Sequence, residues 1–485
     1  MYLGLDLGTS GLKALLIDEG QRVVGQATAP LTVSRPHDGW SEQDPAHWIA
    51  AAEAALDALH ARHRAALAAV RGIGLSGQMH GATLLDAGDR VLRPCILWND
   101  TRSHAEAAAL DADPRFRAIS GNIVFPGFTA PKLVWVAHHE PRIFARTARV
   151  LLPKDHLRLW LTGEHVGEMS DAAGTSWLDT GARRWSEQLL GASGMSLAQM
   201  PRLVEGTEPS GRLRPALAGR WGMGAAVVAG GAGDNAASAL GTGVLASGSA
   251  FLSLGTSGVL FAATDSYRPN AASAVHTFCH AIPESWHQMG VILSATAALE
   301  WFAGIAGTTA EALVRDVKPA PVSPASLLFL PYLAGERTPH NNAAVRGAFM
   351  GLAQGHDRSA MTRAILEGVA FALRDSLEAL KAAGTRIEQA VAVGGGARSL
   401  HWLHVIANAL DIELVLPATG ELGAAFGAAR LGLIAAEGAD PATVCTPPQA
   451  VQRINSSADV RAAYEEAYGR FRAAYPQAAK QAEPT

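Results

Sequence analysis

The sequence predicts an α/β protein built from two related halves. The motif Leu-X-Leu-Gly-Thr-Ser-Gly occurs at residues 5–11 and again at residues 252–258, a separation of 247 residues in a chain of 485. Apolar runs flank each copy, as in a β-hairpin whose turn consists of glycine and small hydroxyl residues. Strand-like and helix-like segments then alternate, which favours largely parallel sheets covered by helices. We therefore predict two α/β domains, residues 1–247 and 248–485.

The helices are predicted from capping residues and apolar spacing. In the first half, Asp44 precedes Pro45, the order of an N-cap and a first helical residue, and an apolar stripe follows at helical spacing. In the second half, residues 366–380 keep one apolar helix face, and residues 390–435 hold two further strand-then-helix steps. The Ala-, Gln- and Pro-rich tail from about residue 472 is expected to fray.

Composition excludes several classes of protein. Forty Lys and Arg residues against 44 Asp and Glu residues give a net charge of −4, which offers no basic face for nucleic acid. The uncharged residues 235–264 contain too many Gly, Ser and Thr residues to form a membrane-spanning helix. Cys95, Cys279 and Cys445 form no disulfide framework, and the N-terminus shows no secretory signal. We expect a soluble, cytoplasmic protein without nucleic-acid or membrane partners; its oligomeric state is left open, with a homodimer as the alternative to a monomer.

Glycine is the informative residue type. The chain has 50 glycines, above average usage, and we expect the excess at turns at strand ends. Such turns either only reverse the chain or present backbone N–H groups to an anion, with Thr and Ser adding hydroxyl donors. No Gly-Lys dipeptide occurs and lysines number only six, so a P-loop is excluded and phosphate charge must be met by amides, hydroxyls, arginine and a metal ion. The four glycine clusters are Gly8–Gly11, Gly230–Gly233, Gly255–Gly258 and Gly394–Gly396.

Two aspartates are candidates for chemistry at these turns. Asp6 lies two residues before the first cluster, where a carboxylate can act on Mg²⁺ and phosphate; its counterpart in the second copy is Ser253. Asp234 follows an apolar strand and precedes the uncharged segment, where an acid is costly unless it is used or paired. Phosphoryl transfer to an alcohol needs a carboxylate base and a metal, which suits Asp234 and Asp6. The alternative for Asp234 is a helix cap.

The ordered motifs resemble a known family. Residues 6–11, 254–258 and 393–399 are similar to the two phosphate motifs and the adenosine motif of the actin/hexokinase-type (ribonuclease H-like) ATPase fold. Residues 127–136 and 347–367 resemble the two signatures of the FGGY carbohydrate kinases, except that Ala360 stands where a polar or acidic residue is usual. Further segments resemble the members that phosphorylate D-xylulose: residues 34–44, 77–86, 96–100, 152–155, 170–175 and 335–342.

The resemblance implies two duplicated domains with a central cleft, where ATP with Mg²⁺ phosphorylates D-xylulose to D-xylulose 5-phosphate. Asp234 would be the general base toward the O5 hydroxyl, and Asp6 would act on Mg²⁺ and the transferred phosphate. The expected sugar contacts are Met79, His80, Asn235 and Asp100. For Asp100, the alternative is that it only stabilises a turn. The expected phosphate and adenosine contacts are Gly8, Thr9, Ser10, Gly255, Thr256, Gly394, Gly395 and Gly396.

Other interpretations stay open at this point. One is the same chemistry on another pentulose, on gluconate or on a polyol; another is an ATP-driven chaperone or filament protein on the same fold, which would need neither Asp234 nor the FGGY signatures. His276, Cys279, His280 and His287 look like metal ligands by type, but they lack paired spacing and are expected to be structural.

Overall fold

The computed structural model describes residues 1–317, 323–418 and 423–481. The strands of the first half are β1 Tyr2–Leu7, β2 Gly11–Ile17, β3 Val23–Pro30, β4 Glu42–Gln43, β5 Gly72–Gly77, β6 Thr83–Leu85, β7 Cys95–Ile96, β8 Arg149–Leu151, β9 Val166–Glu168, β10 Leu178–Asp179, β11 Arg184–Trp185, β12 Arg202–Val204, β13 Pro209–Arg212, β14 Val227–Ala229 and β15 Ala232–Gly233. Its helices are α1 Pro45–Ala68, α2 His104–Asp111, α3 Pro114–Ser120, α4 Thr129–His139, α5 Pro141–Arg146, α6 Pro153–Thr162, α7 Met169–Ala172, α8 Glu187–Ala192, α9 Pro215–Trp221 and α10 Asp234–Thr242.

The described part of the second half continues the numbering. Its strands are β16 Ala250–Leu254, β17 Gly258–Thr264, β18 His276–Cys279, β19 Trp286–Ile292, β20 Leu328–Leu330, β21 Ala348–Met350, β22 Gln389–Val393, β23 Glu413–Pro417 and β24 Ala450–Ile454. Its helices are α11 Thr296–Ile305, α12 Ala310–Asp316, α13 Arg358–Ala382, α14 Leu400–Leu410, α15 Ala424–Glu437, α16 Pro441–Val444 and α17 Arg461–Gln481.

Each half has one seven-stranded sheet, and the two sheets share a central pattern. The first runs β13-β14-β5-β1-β2-β3 with β15 also on β5; the second runs β18-β19-β17-β16-β22-β23-β24. In both, the Gly-Thr-Ser-Gly turn closes an antiparallel hairpin, β1–β2 or β16–β17, whose first strand pairs in parallel with the next central strand. The predicted hairpins and duplicated α/β fold are confirmed. The sheets are mixed rather than largely parallel, because each hairpin places antiparallel strands at the centre.

Helix α1 shows how local signals set the elements. The Asp44 side chain accepts a hydrogen bond from the N–H of Ala46 at 2.9 Å, and Pro45 opens the helix, as predicted. Trp48 and Leu56 on its inner face are buried against the first sheet. The amphipathic spacing therefore decided which face covers the sheet.

Helix α15 does not follow the predicted division of the chain into two halves. It comes from the second half but packs against β1, β5 and α10 of the first. A Cβ on Gly4 would lie 2.0 Å from the carbonyl O of Ala425, and one on Gly74 would lie 1.7 Å from that of Ala428. Glycines inside these strands thus allow contact between helix and sheet backbones, so the expectation that the excess glycine lies at turns is only partly right. The boundary at residue 247 stays a prediction.

The predicted fraying of the C-terminal tail is wrong as far as Gln481. Residues 472–481 continue helix α17, with Ala474 and Ala478 buried against the core of the second half. Their spacing of four residues places them on one helix face together with Phe471, and this burial stabilises the helix. Residues 482–485 lie outside the described residues, and no helix within the described ranges is long and apolar enough to cross a membrane.

Candidate active site

The register of three parallel strands brings the two candidate aspartates to one edge of the first sheet. Asp6 of β1 lies opposite Ser76 of β5, and Ser76 lies opposite Ala232 of β15, whose strand ends one residue before Asp234. Ser76 Oγ donates to Asp6 Oδ1 at 2.9 Å. Burial raises the pKa of Asp6, while the Ser76 hydrogen bond and then Lys13, opposite on β2, act to lower it.

Asp234 is the first residue of α10 and has no cationic partner among the described residues. Asn235 donates to its Oδ1 from both the backbone N–H, at 2.7 Å, and the side-chain Nδ2, at 3.0 Å. Burial, and then the negative charge of Asp6, raise the pKa of Asp234 to about 6 despite these hydrogen bonds. The carboxylate is thus an oriented proton acceptor that becomes charged just below neutral pH.

Met79 and His80 follow β5 and lie beside this edge. Met79 packs against Gly233, where a Cβ would lie 2.8 Å from its Sδ. His80 has a left-handed backbone, with φ of 69°, and its ring stacks on Phe128 with centroids 4.6 Å apart. Burial, and then Lys132, lower the pKa of His80 to about 3, so the ring is neutral at working pH.

The hydrogen bond of His80 fixes which ring nitrogen is the acceptor. Nδ1 lies 2.7 Å from the carbonyl O of Gly174, which can only accept, so Nδ1 carries the proton. Nε2 then presents a lone pair, which suits a sugar hydroxyl. A Cβ on Gly174 would lie 2.4 Å from the His80 ring, so only glycine fits there.

Asp100, a predicted sugar contact, has its carboxylate engaged by protein donors. Ser41 N–H donates to Oδ2 at 2.6 Å, and Arg102 donates from its backbone N–H and its guanidinium at 2.7–2.9 Å. Arg102 also pairs with Glu42 at 2.7 Å, and the Asp100 side chain is fully buried. This geometry favours the structural alternative for Asp100.

The first phosphate loop, Gly8-Thr9-Ser10, is held in shape by its neighbours. Gly8 N–H donates to the Gly11 carbonyl O at 3.0 Å, and Thr9 Oγ1 donates to Gln78 Oε1 at 3.0 Å. The indole N–H of Trp98, a half-exposed ring, donates to the same Thr9 oxygen at 3.0 Å. Within the described structure, the backbone N–H groups of Thr9 and Ser10 have no acceptor, so they are available to an anion.

The second phosphate loop and the adenosine loop are neighbours, because β16 and β22 pair in parallel. Gly255 and Thr256 form the turn after β16. Gly394 follows β22 with φ of 90°, and a Cβ there would lie 2.7 Å from the Leu254 carbonyl O, so glycine is required on two counts. Gly395 and Gly396 then begin a single 3₁₀ turn.

A cavity of about 880 Å³ connects the adenosine loop to the helix that carries Asp234. Ser238 and Thr242 of α10 line one side, and Gly394 and Gly395 line the other. A second cavity of about 420 Å³ shares Gly395 and extends toward α11 and α12. The predicted adenosine residues therefore border a cavity large enough for a nucleotide, and the helix that carries the predicted base lines the same cavity.

The turn before Asp234 is held at both ends by side chains that the sequence analysis did not assign. Gly233 N–H donates to Ser170 Oγ at 3.0 Å, and Ser170 Oγ donates to Glu168 Oε1 at 3.0 Å. At the other end, the Arg158 guanidinium donates to the carbonyl O of Gly230.

These residues belong to a buried charge cluster formed by Lys154, Asp155, Arg158, Glu168 and Asp171. Lys154 Nζ lies 2.9, 3.2 and 2.9 Å from carboxylate oxygens of Asp155, Glu168 and Asp171. Arg158 lies 2.8 Å from Asp155, and every side chain is at most 1 % exposed. Burial alone would lower the pKa of Lys154, but the three carboxylates raise it. Burial raises the pKa of Asp171.

The four candidate metal ligands of the second half are structural. His280 bonds the carbonyl O of Val244 and the N–H of Ala281, and the His276 and His287 rings pack on phenylalanine rings. Among the described residues, no group of three or more His, Cys, Asp or Glu side chains could hold a metal ion. Proteins commonly bind Mg²⁺ through one or two carboxylates together with substrate phosphates and waters, and the Asp6 carboxylate at the sheet edge is chemically suited to it.

Comparison with known proteins gives matches over both halves of the chain. Residues 1–241 match the N-terminal domain and residues 250–436 the C-terminal domain of the FGGY family of carbohydrate kinases. The chain is 50% identical to the xylulose kinase of Escherichia coli over 90% of both chains. It superposes on the crystal structure of a "xyloylose kinase" from Brucella ovis with a TM-score of 0.97 and 64% identity, over 98% of this chain and 99% of that one.

A second solved structure, the xylulose kinase of Rhodospirillum rubrum, gives a TM-score of 0.90 at 30% identity, over 98% of each chain. The two family domains match the two sheets described above, and the similarity runs through the loops that carry Asp6 and Asp234. The chain belongs to the FGGY family of carbohydrate kinases, and it is a sugar kinase that uses ATP with Mg²⁺.

Proposed function

We propose that this chain transfers the γ-phosphoryl group of ATP to the O5 hydroxyl of D-xylulose, giving D-xylulose 5-phosphate. The observation that carries the proposal is Asp234, an oriented carboxylate without a cation, beside Asp6 and next to the neutral His80. Support for the substrate comes from the relatives named xylulose kinases at 50% and 48% identity.

In this proposal Asp234 accepts the O5 proton as that oxygen attacks the γ-phosphorus. The two hydrogen bonds from Asn235 to Oδ1 hold the carboxylate in one orientation and leave Oδ2 for the sugar hydroxyl. Asn235 and Met79 border the same edge, and His80 Nε2 accepts a hydrogen bond from another sugar hydroxyl. Neutral donors and acceptors at fixed angles suit an uncharged polyol.

The two Gly-Thr-Ser-Gly loops provide backbone N–H groups for the phosphates. Thr9 and Ser10 in the first loop, and Gly255 and Thr256 in the second, approach from opposite halves. Magnesium, when bound, neutralises charge on the β- and γ-phosphates, and Asp6 is the carboxylate placed to hold it. Gly394–Gly396 would contact adenosine at the cavity between the halves.

We also infer a cytoplasmic enzyme. Its cosubstrate is ATP, and Cys95, Cys279 and Cys445 are buried free thiols rather than disulfides. Such thiols fit a reducing compartment.

A sugar panel tests the proposed substrate. With ATP and Mg²⁺, ADP release is measured for D-xylulose, D-ribulose, L-ribulose, D-gluconate, glycerol and xylitol. We expect kcat/KM for D-xylulose to exceed every other value at least tenfold, and NMR to locate the phosphate on O5. A higher value for gluconate or glycerol would replace the proposed substrate, and ATP hydrolysis indifferent to all acceptors would reject a sugar kinase.

The pH dependence of the reaction reports the base. Since the pKa of Asp234 is raised to about 6, the carboxylate is charged above pH 6 and progressively protonated below it. The measurement is kcat/KM for the sugar from pH 5 to 8 at saturating Mg-ATP. We expect this value to be constant above pH 7 and to fall about tenfold per pH unit well below pH 6. The pKa of His80, at about 3, keeps that ring neutral throughout this range. A profile that is flat down to pH 5 would contradict the assignment of Asp234.

A further inference from the structure

Arg337 is a partly buried arginine with no ion pair among the described residues. Its guanidinium lies 4.6 Å above the Phe125 ring, and its only hydrogen-bond partner among the described side chains is His276 Nε2, at 3.2 Å. No described carboxylate lies within ion-pair distance, since the adjacent Glu336 accepts instead from the backbone N–H groups of Leu293 and Arg337. Burial lowers the pKa of Arg337, which the charge of Glu336 acts to raise, and burial raises the pKa of Glu336 to about 8.

Fully buried arginines in the described structure are held by ion pairs or backbone carbonyls. The side chains of Arg102 and Arg158 are at most 1 % exposed, and both pair with carboxylates at 2.7–2.8 Å. Arg430 has no carboxylate partner but donates to three backbone carbonyls. Arg337 is partly accessible and has five N–H donors with a single described side-chain partner, so donors remain for a ligand.

Arg337 belongs to an aromatic cluster, formed with His80, Phe125, Phe128 and His276, that joins the two halves. From the first half, His80 stacks on Phe128 at 4.6 Å. Phe128 and Phe125 lie 5.7 and 5.3 Å from His276 of the second half, and His276 contacts Arg337. A continuous path of ring contacts therefore runs from His80 to the Arg337 guanidinium.

The same contacts give the order of groups along the cleft. Asp234 lies next to Asp6 and Asn235, and Met79 packs against the residue before it. His80 follows Met79, and Arg337 comes at the end of the series of contacts that passes through the phenylalanine rings and His276. The positive charge of Arg337 contributes to lowering the pKa of His80, and the negative charge of Asp6 contributes to raising that of Asp234.

We propose that Arg337 is a sugar contact contributed by the second half, donating hydrogen bonds to the oxygens at the C1–C2 end of the ketose while O5 faces Asp234. This rests on the proposed function. An extended five-carbon ketose has its hydroxyl and carbonyl oxygens at C1 and C2, at the opposite end from O5, and a planar guanidinium can donate to both. Because the remaining sugar contacts come from the first half, this contact makes sugar binding depend on how the two halves meet.

The test compares Arg337→Met with the wild type and with a matched control, Arg374→Met. Arg374 also lies over an aromatic ring, 4.2 Å from that of Tyr468, but on α13 and paired with Glu465. Calorimetry gives the Kd of D-xylulose and of ADP, steady-state kinetics give kcat and KM, and thermal unfolding gives the Tm of each ligand-free protein.

For Arg337→Met we expect the Kd and KM for D-xylulose to rise at least tenfold, with kcat reduced less than fivefold and the ADP Kd within twofold. The ligand-free Tm should stay level, since Arg337 has no ion pair to lose among the described residues. Arg374→Met should leave the sugar Kd unchanged. A sugar Kd within twofold of wild type, or a kcat collapse at unchanged Kd, would overturn the proposal. If the wild type does not phosphorylate D-xylulose at all, the proposed function fails instead.

Discussion

Replacing Asp234 by Asn should abolish most turnover without unfolding the protein. A general base contributes about 10²–10⁴-fold to such reactions, so we expect kcat to fall about 10³-fold. Asparagine keeps an Oδ1 acceptor for the two Asn235 donors, so the local geometry survives. The Kd of ADP should stay within twofold, because the base lies on the sugar side of the phosphates. Stopped assays over hours measure the residual rate, and calorimetry measures the nucleotide.

The same substitution should stabilise the protein above pH 6. Burial raises the pKa of Asp234 from 3.8 to about 6, so the folded state holds the proton more tightly than the unfolded chain does. At a pH above both the folded and the unfolded pKa, this shift lowers the free energy of unfolding by about 3 kcal/mol at most. Below the unfolded pKa it has no effect on stability. The Tm of Asp234→Asn relative to wild type should accordingly increase from pH 4 to pH 7.

A control separates the base from a general effect of losing a carboxylate. Asp357 caps α13 by accepting from the N–H of Ala360 at 2.8 Å, and asparagine is an equally good N-cap. Asp357→Asn should match the wild type in kcat and in Tm. If Asp234→Asn keeps a kcat within tenfold of wild type, the assignment of the base is wrong.

Replacing Lys154 by Met should give the largest loss of stability. Its side chain is fully buried, and three carboxylates lie within 3.2 Å of Nζ. Removing one partner of a buried ion pair costs about 3–5 kcal/mol, because the remaining charges stay buried without compensation. We expect a clear fall in Tm and in the midpoint of urea unfolding, and reduced kcat in the folded fraction, since Glu168 and Ser170 link Lys154 to Gly233.

Two further variants identify the cause of that loss. Lys381→Met removes a 43 % exposed lysine paired with Glu378 at 3.0 Å and should change stability by less than about 1 kcal/mol. Adding Asp171→Asn to Lys154→Met removes one uncompensated carboxylate and should recover part of the loss. A stability loss for Lys154→Met no larger than that for Lys381→Met would show that the buried charge cluster does not stabilise the fold.

The sequence predicted the elements whose signals are local. The repeated Gly-Thr-Ser-Gly turn identified both central hairpins, because glycine and small hydroxyl residues between apolar runs have few other backbone solutions. Asp234 could be singled out because it precedes thirty uncharged residues. For the buried charge cluster and Arg337, the sequence signal was that residues 152–155, 170–175 and 335–342 resemble the family. The sequence alone predicts that Lys154 and Asp155 either reach the cleft or form a surface or domain-joining pair, whereas the structure buries both in the charge cluster.

By itself, then, the sequence determined the duplicated α/β fold and the exclusion of a P-loop, and it predicted the chemistry of the two aspartates. Only the tertiary structure decided which groups are buried and what faces them. Asp100 is engaged by Arg102, while Arg337 finds no carboxylate among the described residues, although both lie in segments that resemble the family. Helix α15 packs against the first sheet at Gly4 and Gly74, and the local spacing of apolar residues does not predict this contact. The physical reason is that desolvation and backbone contact depend on segments hundreds of residues apart, whereas spacing and capping act within a few turns of chain.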